Sequence, residues 1–128
     1  MENENDLGIR IIQPVTDSLF DDIEHRILSP LSCLREIGSH WVLEFDLPLV
    51  NKKDIKISYD ENTISVEAKL KEKYTEGKLG IINKFEYFKK SISLPGKIDG
   101  KKITAKFQRG RLEVKIPKTV SKKPVKVS

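Results

Sequence analysis

The sequence predicts an all-β protein, an antiparallel β-sandwich, on three observations. From Leu31 onward apolar and polar residues alternate with period 2. The alternating runs are short and evenly spaced, about seven in number. Mostly tight turns rich in Gly, Pro, Asp and Asn separate them, with no helical run in between, which argues against a βαβ fold. A chain of 128 residues suits one core of this kind with arms attached. We divide it into an N-terminal arm over 1–30, the sandwich domain over 31–118 and a C-terminal tail over 119–128.

In the arm, Leu7 to Ile12 is apolar but irregular, and Pro14 stops any continuous element. Ser18 with Asp21 resembles a capping box. Leu19, Phe20, Ile23 and Ile27 then recur at helical spacing opposite Asp21, Asp22, Glu24 and Arg26, predicting a short amphipathic helix that ends at Pro30. Its apolar stripe either packs on its own domain or meets another chain or an unfolded client.

Within the domain, Cys33 between Leu31 and Leu34 is expected to behave as a small hydrophobe in an apolar strand. Trp41 to Leu47 alternates between the Gly38-Ser39 turn and Pro48. Ile55, Ile57 and Tyr59 share one face of the next strand, and Asp54, Lys56 and Ser58 the other. Asp60-Glu61-Asn62 turns the chain into Thr63–Ala68, completing a hairpin. From Lys69 to Lys84 the alternation weakens to a long loop, loosened by Gly77 and Gly80, with an apolar island at Leu79, Ile81 and Ile82. Phe85–Leu94 resumes the pattern, Pro95-Gly96 breaks it, and Ile103, Ala105 and Phe107 line one face of the next strand. After the Arg109-Gly110 turn, Leu112–Ile116 is the last strand, stopped by Pro117.

The apolar fraction of 38% and charged fraction of 34% suit a thin two-layer core. No stretch approaches the roughly 18 apolar residues a membrane helix needs, and the acidic start Met1-Glu2-Asn3-Glu4 is unlike a signal peptide. The single cysteine has no partner for an internal disulfide, and together these features predict the cytoplasm. The net charge of +5 is spread along the chain among acids, so no nucleic acid is expected as a partner. Lys89 and Lys90 point to opposite faces of a strand and cannot clamp one phosphate together. His25 and His40 are isolated, with no second ligand at metal spacing, and there is no Gly-x-Ser-x-Gly elbow or phosphate-binding Gly loop. We therefore expect no catalytic residue, no metal and no cofactor.

Several motifs in order carry a resemblance. Val42 to Pro48 ends in Asp-Leu-Pro, and Lys53-Asp54-Ile55-Lys56-Ile57 follows as an acidic-then-alternating strand. Leu94-Pro95 precedes Ala105, Gly110 and Leu112 at Ala-x-x-x-x-Gly-x-Leu spacing, and Val114 to Lys118 closes the run. Leu31 to Pro117 with its tail resembles the α-crystallin domain of small heat-shock proteins, which implies an immunoglobulin-like sandwich. Two positions depart from that pattern: Arg109-Gly110-Arg111-Leu112 stands where the family favours Asn-Gly-Val-Leu, and Lys90 stands for an arginine. Lysine lacks the forked guanidinium, so an intersubunit pair at Lys90 would be less rigid.

The resemblance implies that Leu79, Gly80, Ile81 and Ile82 cross to a partner and extend its sheet; independently, an apolar strand in a charged loop lacks cover, and a sheet edge offers unpaired amides. Folding back on its own domain is the alternative. Val125 and Val127, two apart beside Pro124, match the family's anchor; without the upstream domain they would be two valines in a frayed terminus. By similarity the anchor's receptor is the groove between Ile55 and Ile57 on one side and Ile103, Ala105 and Phe107 on the other, in another subunit. The implied function is an ATP-independent holdase, a dimer-based oligomer that captures unfolding proteins through Leu7, Ile9, Ile11, Ile12, Leu19, Phe20, Ile23 and Ile27 of the arm together with the groove. Rival readings are a monomeric CS-domain co-chaperone, lacking the crossing strand and anchor, and a basic structural or nucleic-acid-associated module.

Overall fold

A computed structural model describes residues 3–5, 8–12, 27–78 and 81–119. Ten strands among them form two sheets. In chain order they are β1 (Asn3–Asn5), β2 (Ile9–Ile12), β3 (Ile27–Leu28), β4 (Ser32–Ile37), β5 (His40–Asp46), β6 (Val50–Tyr59), β7 (Thr63–Lys78), β8 (Ile81–Ser93), β9 (Thr104–Gln108) and β10 (Arg111–Pro117). One sheet has the order β1-β2-β6-β7-β8-β3 and the other β4-β5-β10-β9. The antiparallel sandwich expected from the alternation is the observed fold.

Alternation decides which face of each strand is buried. Leu43 and Phe45 of β5, Ile55 and Ile57 of β6, Ile64, Val66 and Ala68 of β7, and Leu112, Val114 and Ile116 of β10 meet between the sheets. Glu44, Asp46, Lys106 and Glu113 alternate with these residues or their neighbours in the second sheet and lie outside the core. Asp60 and Thr63 close the β6–β7 hairpin through paired backbone hydrogen bonds of 2.9 and 3.3 Å. The β9–β10 hairpin turns on Arg109 and Gly110, both with positive φ, 52° and 76°, the geometry whose twist matches that of the flanking strands.

At the sandwich's end the chain passes through a short 3-10 turn, Gly100–Lys102, whose N-cap Asp99 accepts a hydrogen bond from the Lys101 amide at 3.2 Å. Gly100 is buried against the Tyr59 ring. This contact joins the end of β6 to the segment leading into β9.

Three expectations change. The predicted helix falls largely on residues outside the described ones, and its last apolar position, Ile27, is in a strand, pairing parallel with Tyr87 of β8. The edge amides of β8 offer Ile27 and Leu28 a partner that a helix would forgo. Next, Ile9–Ile12 is no irregular arm but a strand lying parallel to β6, with Ile11 opposite Ile57. Finally, Cys33 is exposed, because β4 is an edge strand whose register turns Cys33 to the side of Glu44 and away from the core.

Candidate functional site

Two sheet edges lie on the same flank of the sandwich. Before the N-terminal strands are added, β6 is the edge of the first sheet, and β9 is the edge of the second. Ile55 and Ile57 line one wall, Ile103 and Ala105 the other, and all four belong to one buried cluster with Phe107 packed against it. The residues expected to form a groove are therefore brought together.

The N-terminal segment lies in that groove. Ile9 and Ile11 are both 0% exposed and belong to the same cluster as the groove residues. Burial of this kind contributes about 2 kcal/mol per isoleucine. Between them, Arg10 is exposed and stands in register with Lys56. β1 runs back antiparallel along β2, and its backbone comes within 8 Å of β9, so the pair of strands bridges the two walls. Gly8 makes the turn: its φ of +105° is one that L side chains avoid, and a Cβ there would stand 3.2 Å from the Lys53 Cα. From the sequence alone Ile9 and Ile11 are expected as exposed arm contacts, and their burial corrects that expectation. Their two-residue spacing was the available signal, blurred by the adjacent Ile12.

On the opposite flank β4 has a single neighbour, β5, and therefore a row of backbone groups facing outward. Leu31 is 76% exposed, Ile37 50% and Leu34 39% along this edge. Beside it a charged network ties three strands together on the outer face. Glu44 pairs with Arg35 at 2.5 Å and with Arg111 at 3.4 Å, while Arg111 also reaches Asp46 at 3.3 Å. Arg111, a departure from the resemblance, thus serves two carboxylates. Lys90, the other departure, donates to the Pro30 carbonyl at 3.4 Å and holds the approach to β4 against β8.

The segment between Lys69 and Phe85 is a hairpin rather than a loop with one strand. After a register shift, Tyr74↔Phe85 continues through Thr75↔Lys84 and Glu76↔Asn83 to Gly77↔Ile82 and Lys78↔Ile81 within the chain. Leu79 and Gly80, between Lys78 and Ile81 in the chain, lie outside the described residues. So do Val125 and Val127 of the tail and Leu19, Phe20 and Ile23 of the arm. The root of the tail is described and firmly held. The Lys118 ammonium pairs with Glu36 and stands 4.7 Å from the Trp41 ring centroid, its amide donates to Ser39 O at 2.8 Å, and Thr119 Oγ1 donates to Lys97 O at 3.2 Å.

His40 has Ser39 Oγ 3.0 Å from its Nδ1, and His25 lies outside the described residues. Among the described residues no three His, Cys, Asp or Glu side chains are grouped as they would be around a metal, and no helix is long and apolar enough to cross a membrane.

A two-sheet sandwich with an apolar groove between β6 and β9, an open β4 edge and a long β7–β8 hairpin defines a domain of the α-crystallin type. The model of the Hsp20/alpha crystallin family matches residues 34–128, and the chain belongs to that family. It is 36% identical to Small heat shock protein C4 of Rickettsia felis over 80% of its own length and 65% of that relative's, slightly under two thirds. It is 31% identical to Small heat shock protein C2 of the same organism, over 87% of this chain and 82% of the relative. A solved small heat-shock protein from Xylella fastidiosa superposes with a TM-score of 0.59 at 25% identity, covering 79% of this chain and 95% of that one. The family implies a chaperone role.

Proposed function

We propose that this protein is an ATP-independent holdase that captures unfolding proteins and works as an assembly of dimers. The observation that carries the proposal is the open β4 edge, where Leu31, Leu34 and Ile37 are exposed beside unpaired backbone groups. An apolar edge of this kind calls for another chain. In the dimer, Ile81 and Ile82 of the β7–β8 hairpin add to the partner's β4, and Leu79 and Gly80 form the crossing tip. Above the dimer, Val125 and Val127 of one subunit dock in the groove lined by Ile55, Ile57, Ile103, Ala105 and Phe107 of another. The Xylella fastidiosa relative is described as having a distinct high-order structure, which supports assembly beyond the dimer.

Two valines bury little area, so each docking is weak and the particle holds by number of contacts. Warming loosens these contacts and uncovers apolar surface, which binds unfolding chains without directional chemistry. Nothing in this sequence of events consumes a nucleotide or makes a covalent bond, and a reducing cytoplasm suits the exposed thiol of Cys33.

With Ile9 and Ile11 buried and Ile27 paired to β8, the arm residues left for client capture are Leu7, Ile12, Leu19, Phe20 and Ile23, of which the last three are tested together. The test is light scattering from a heat-denatured model protein, with and without ATP, using the intact chain and a Leu19→Ser, Phe20→Ser, Ile23→Ser variant. Suppression by the intact chain that is independent of ATP and weaker in the variant is the expected result. No suppression by the intact chain at any ratio refutes the holdase, and equal suppression by both removes these three residues from client binding.

A further inference from the structure

Ile9-Arg10-Ile11 and Val125-Lys126-Val127 share one pattern, an apolar pair two residues apart with a basic residue between. In an extended segment that pattern turns both apolar side chains to one side and the cation to the other. The first of these segments occupies the groove between β6 and β9 in its own chain. Ile11 is opposite Ile57, and both isoleucines are fully buried among the residues to which the tail is assigned.

We propose that residues 9–12 are the groove's resident ligand, an internal plug that the tail of another subunit must displace in order to dock. This rests on the tail-docking reading and adds a competitor to it. Two segments cannot fill one pair of apolar sites in a close-packed interior. The plug has the advantage in the separate chain for two reasons. Each isoleucine carries one methylene more than valine, together favouring the plug by roughly tenfold. The plug is also tethered through Gly8 and the chain after Ile12, whereas a tail from another subunit competes at its actual concentration. Assembly therefore has a threshold: the tail wins only where subunits are crowded or where several tails act together. Each docking event also expels residues 9–12, adding Ile9 and Ile11 to the apolar surface of the arm. Growth of the particle and exposure of the arm become one equilibrium.

Gly8 permits a perturbation that leaves the groove and both isoleucines in place. Valine there meets a forbidden φ and crowds Lys53, so Gly8→Val weakens the plug alone. The probe is a fluorescent peptide of residues 119–128, measured by anisotropy on full-length chains whose own tails are silenced by Val125→Ser and Val127→Ser. We expect the peptide to bind the Gly8→Val chain, and an Ile9→Ser/Ile11→Ser chain, about tenfold more tightly than the chain with its plug intact. Adding the peptide to the plugged chain should also raise cleavage of the Arg10–Ile11 bond by an arginine-specific protease, which leaves the arginine-free peptide whole. Trp41 fluorescence, from the chain's one tryptophan, reports that each variant is folded. Equal affinity for plugged and unplugged chains overturns the plug and leaves tail docking standing. Binding to none of the folded chains overturns tail docking, and the plug's competition with it.

Discussion

Replacing Gly100 with alanine tests how the end of the sandwich is sealed. A Cβ at this position would stand 1.7 Å from Cζ of Tyr59, 2.1 Å from Cε2 and 2.2 Å from Oη, so the outer half of the ring must leave its seat. A tyrosine buries on the order of 150–250 Å², and re-exposing about half of that costs roughly 2–2.5 kcal/mol. Gly100 does not have a positive φ, so alanine meets no backbone penalty and recovers ~0.5 kcal/mol by restricting the unfolded chain. The net loss is about 1.5–2 kcal/mol, read as a lower urea midpoint by Trp41 fluorescence at fixed protein concentration. In a Tyr59→Ala background the obstruction is gone, and Gly100→Ala should be neutral or slightly stabilising. The coupling between the two sites is therefore about 2 kcal/mol. An equal loss in both backgrounds would refute the reasoning, since the cost would then not pass through Tyr59. The contact bears on the groove as well: Tyr59 ends the strand carrying Ile55 and Ile57, and Gly100 opens the turn before Ile103.

Other perturbations address the turns, the edge and the tail. Arg109 holds a φ of 52°, a region where asparagine is accommodated more easily than arginine, so Arg109→Asn should raise stability by about 0.5–1 kcal/mol, and an unchanged or lower melting temperature would contradict this. A Leu34→Glu/Ile37→Glu chain should remain folded, since both residues are exposed, yet lose the dimer and react faster with a maleimide at Cys33. Unchanged mass and thiol reactivity would exclude β4 as the dimer edge. Val125→Ala with Val127→Ala should reduce a large particle to dimers in a solution mass measurement, and a particle of unaltered size would remove these valines from assembly.

How far the fold could be read from the chain depended on where a strand's partner lies. β9 and β10 alternate cleanly and each buries one face, while β5 breaks the alternation once, with Val42 buried beside Leu43, so their period still reveals them between Pro and Gly stops. The groove's lining was legible for a similar reason, since Ile55 and Ile57 are inward positions of β6 and Ala105 of β9, with Ile103 in the step just before β9. Its occupant was not. Ile9 and Ile11 show a single repeat of the period, and the parallel partner Ile57 lies far along the chain. The outer part of the β7–β8 hairpin was hidden differently: backbone pairing asks nothing of side-chain pattern, and charged residues such as Lys71, Glu72, Lys73 and Glu76 obscure the alternation there. For Cys33, local composition misled, because exposure at an edge strand is decided by the number of its neighbours.

The clamp at the root of the tail has a geometric consequence. Lys118 and Thr119 are fixed to Ser39, Glu36 and Lys97, so whatever follows starts from a fixed point on the domain. Six peptide steps separate Thr119 from Val125. Fully extended, they reach at most about 20 Å. On the tail-docking proposal this short leash is a ruler: a receiving groove beyond that radius is out of range at any affinity, and permitted neighbours are those whose grooves fall inside it. Inserting residues after Thr119 should therefore change which particles can form while leaving the strength of each docking event as it was.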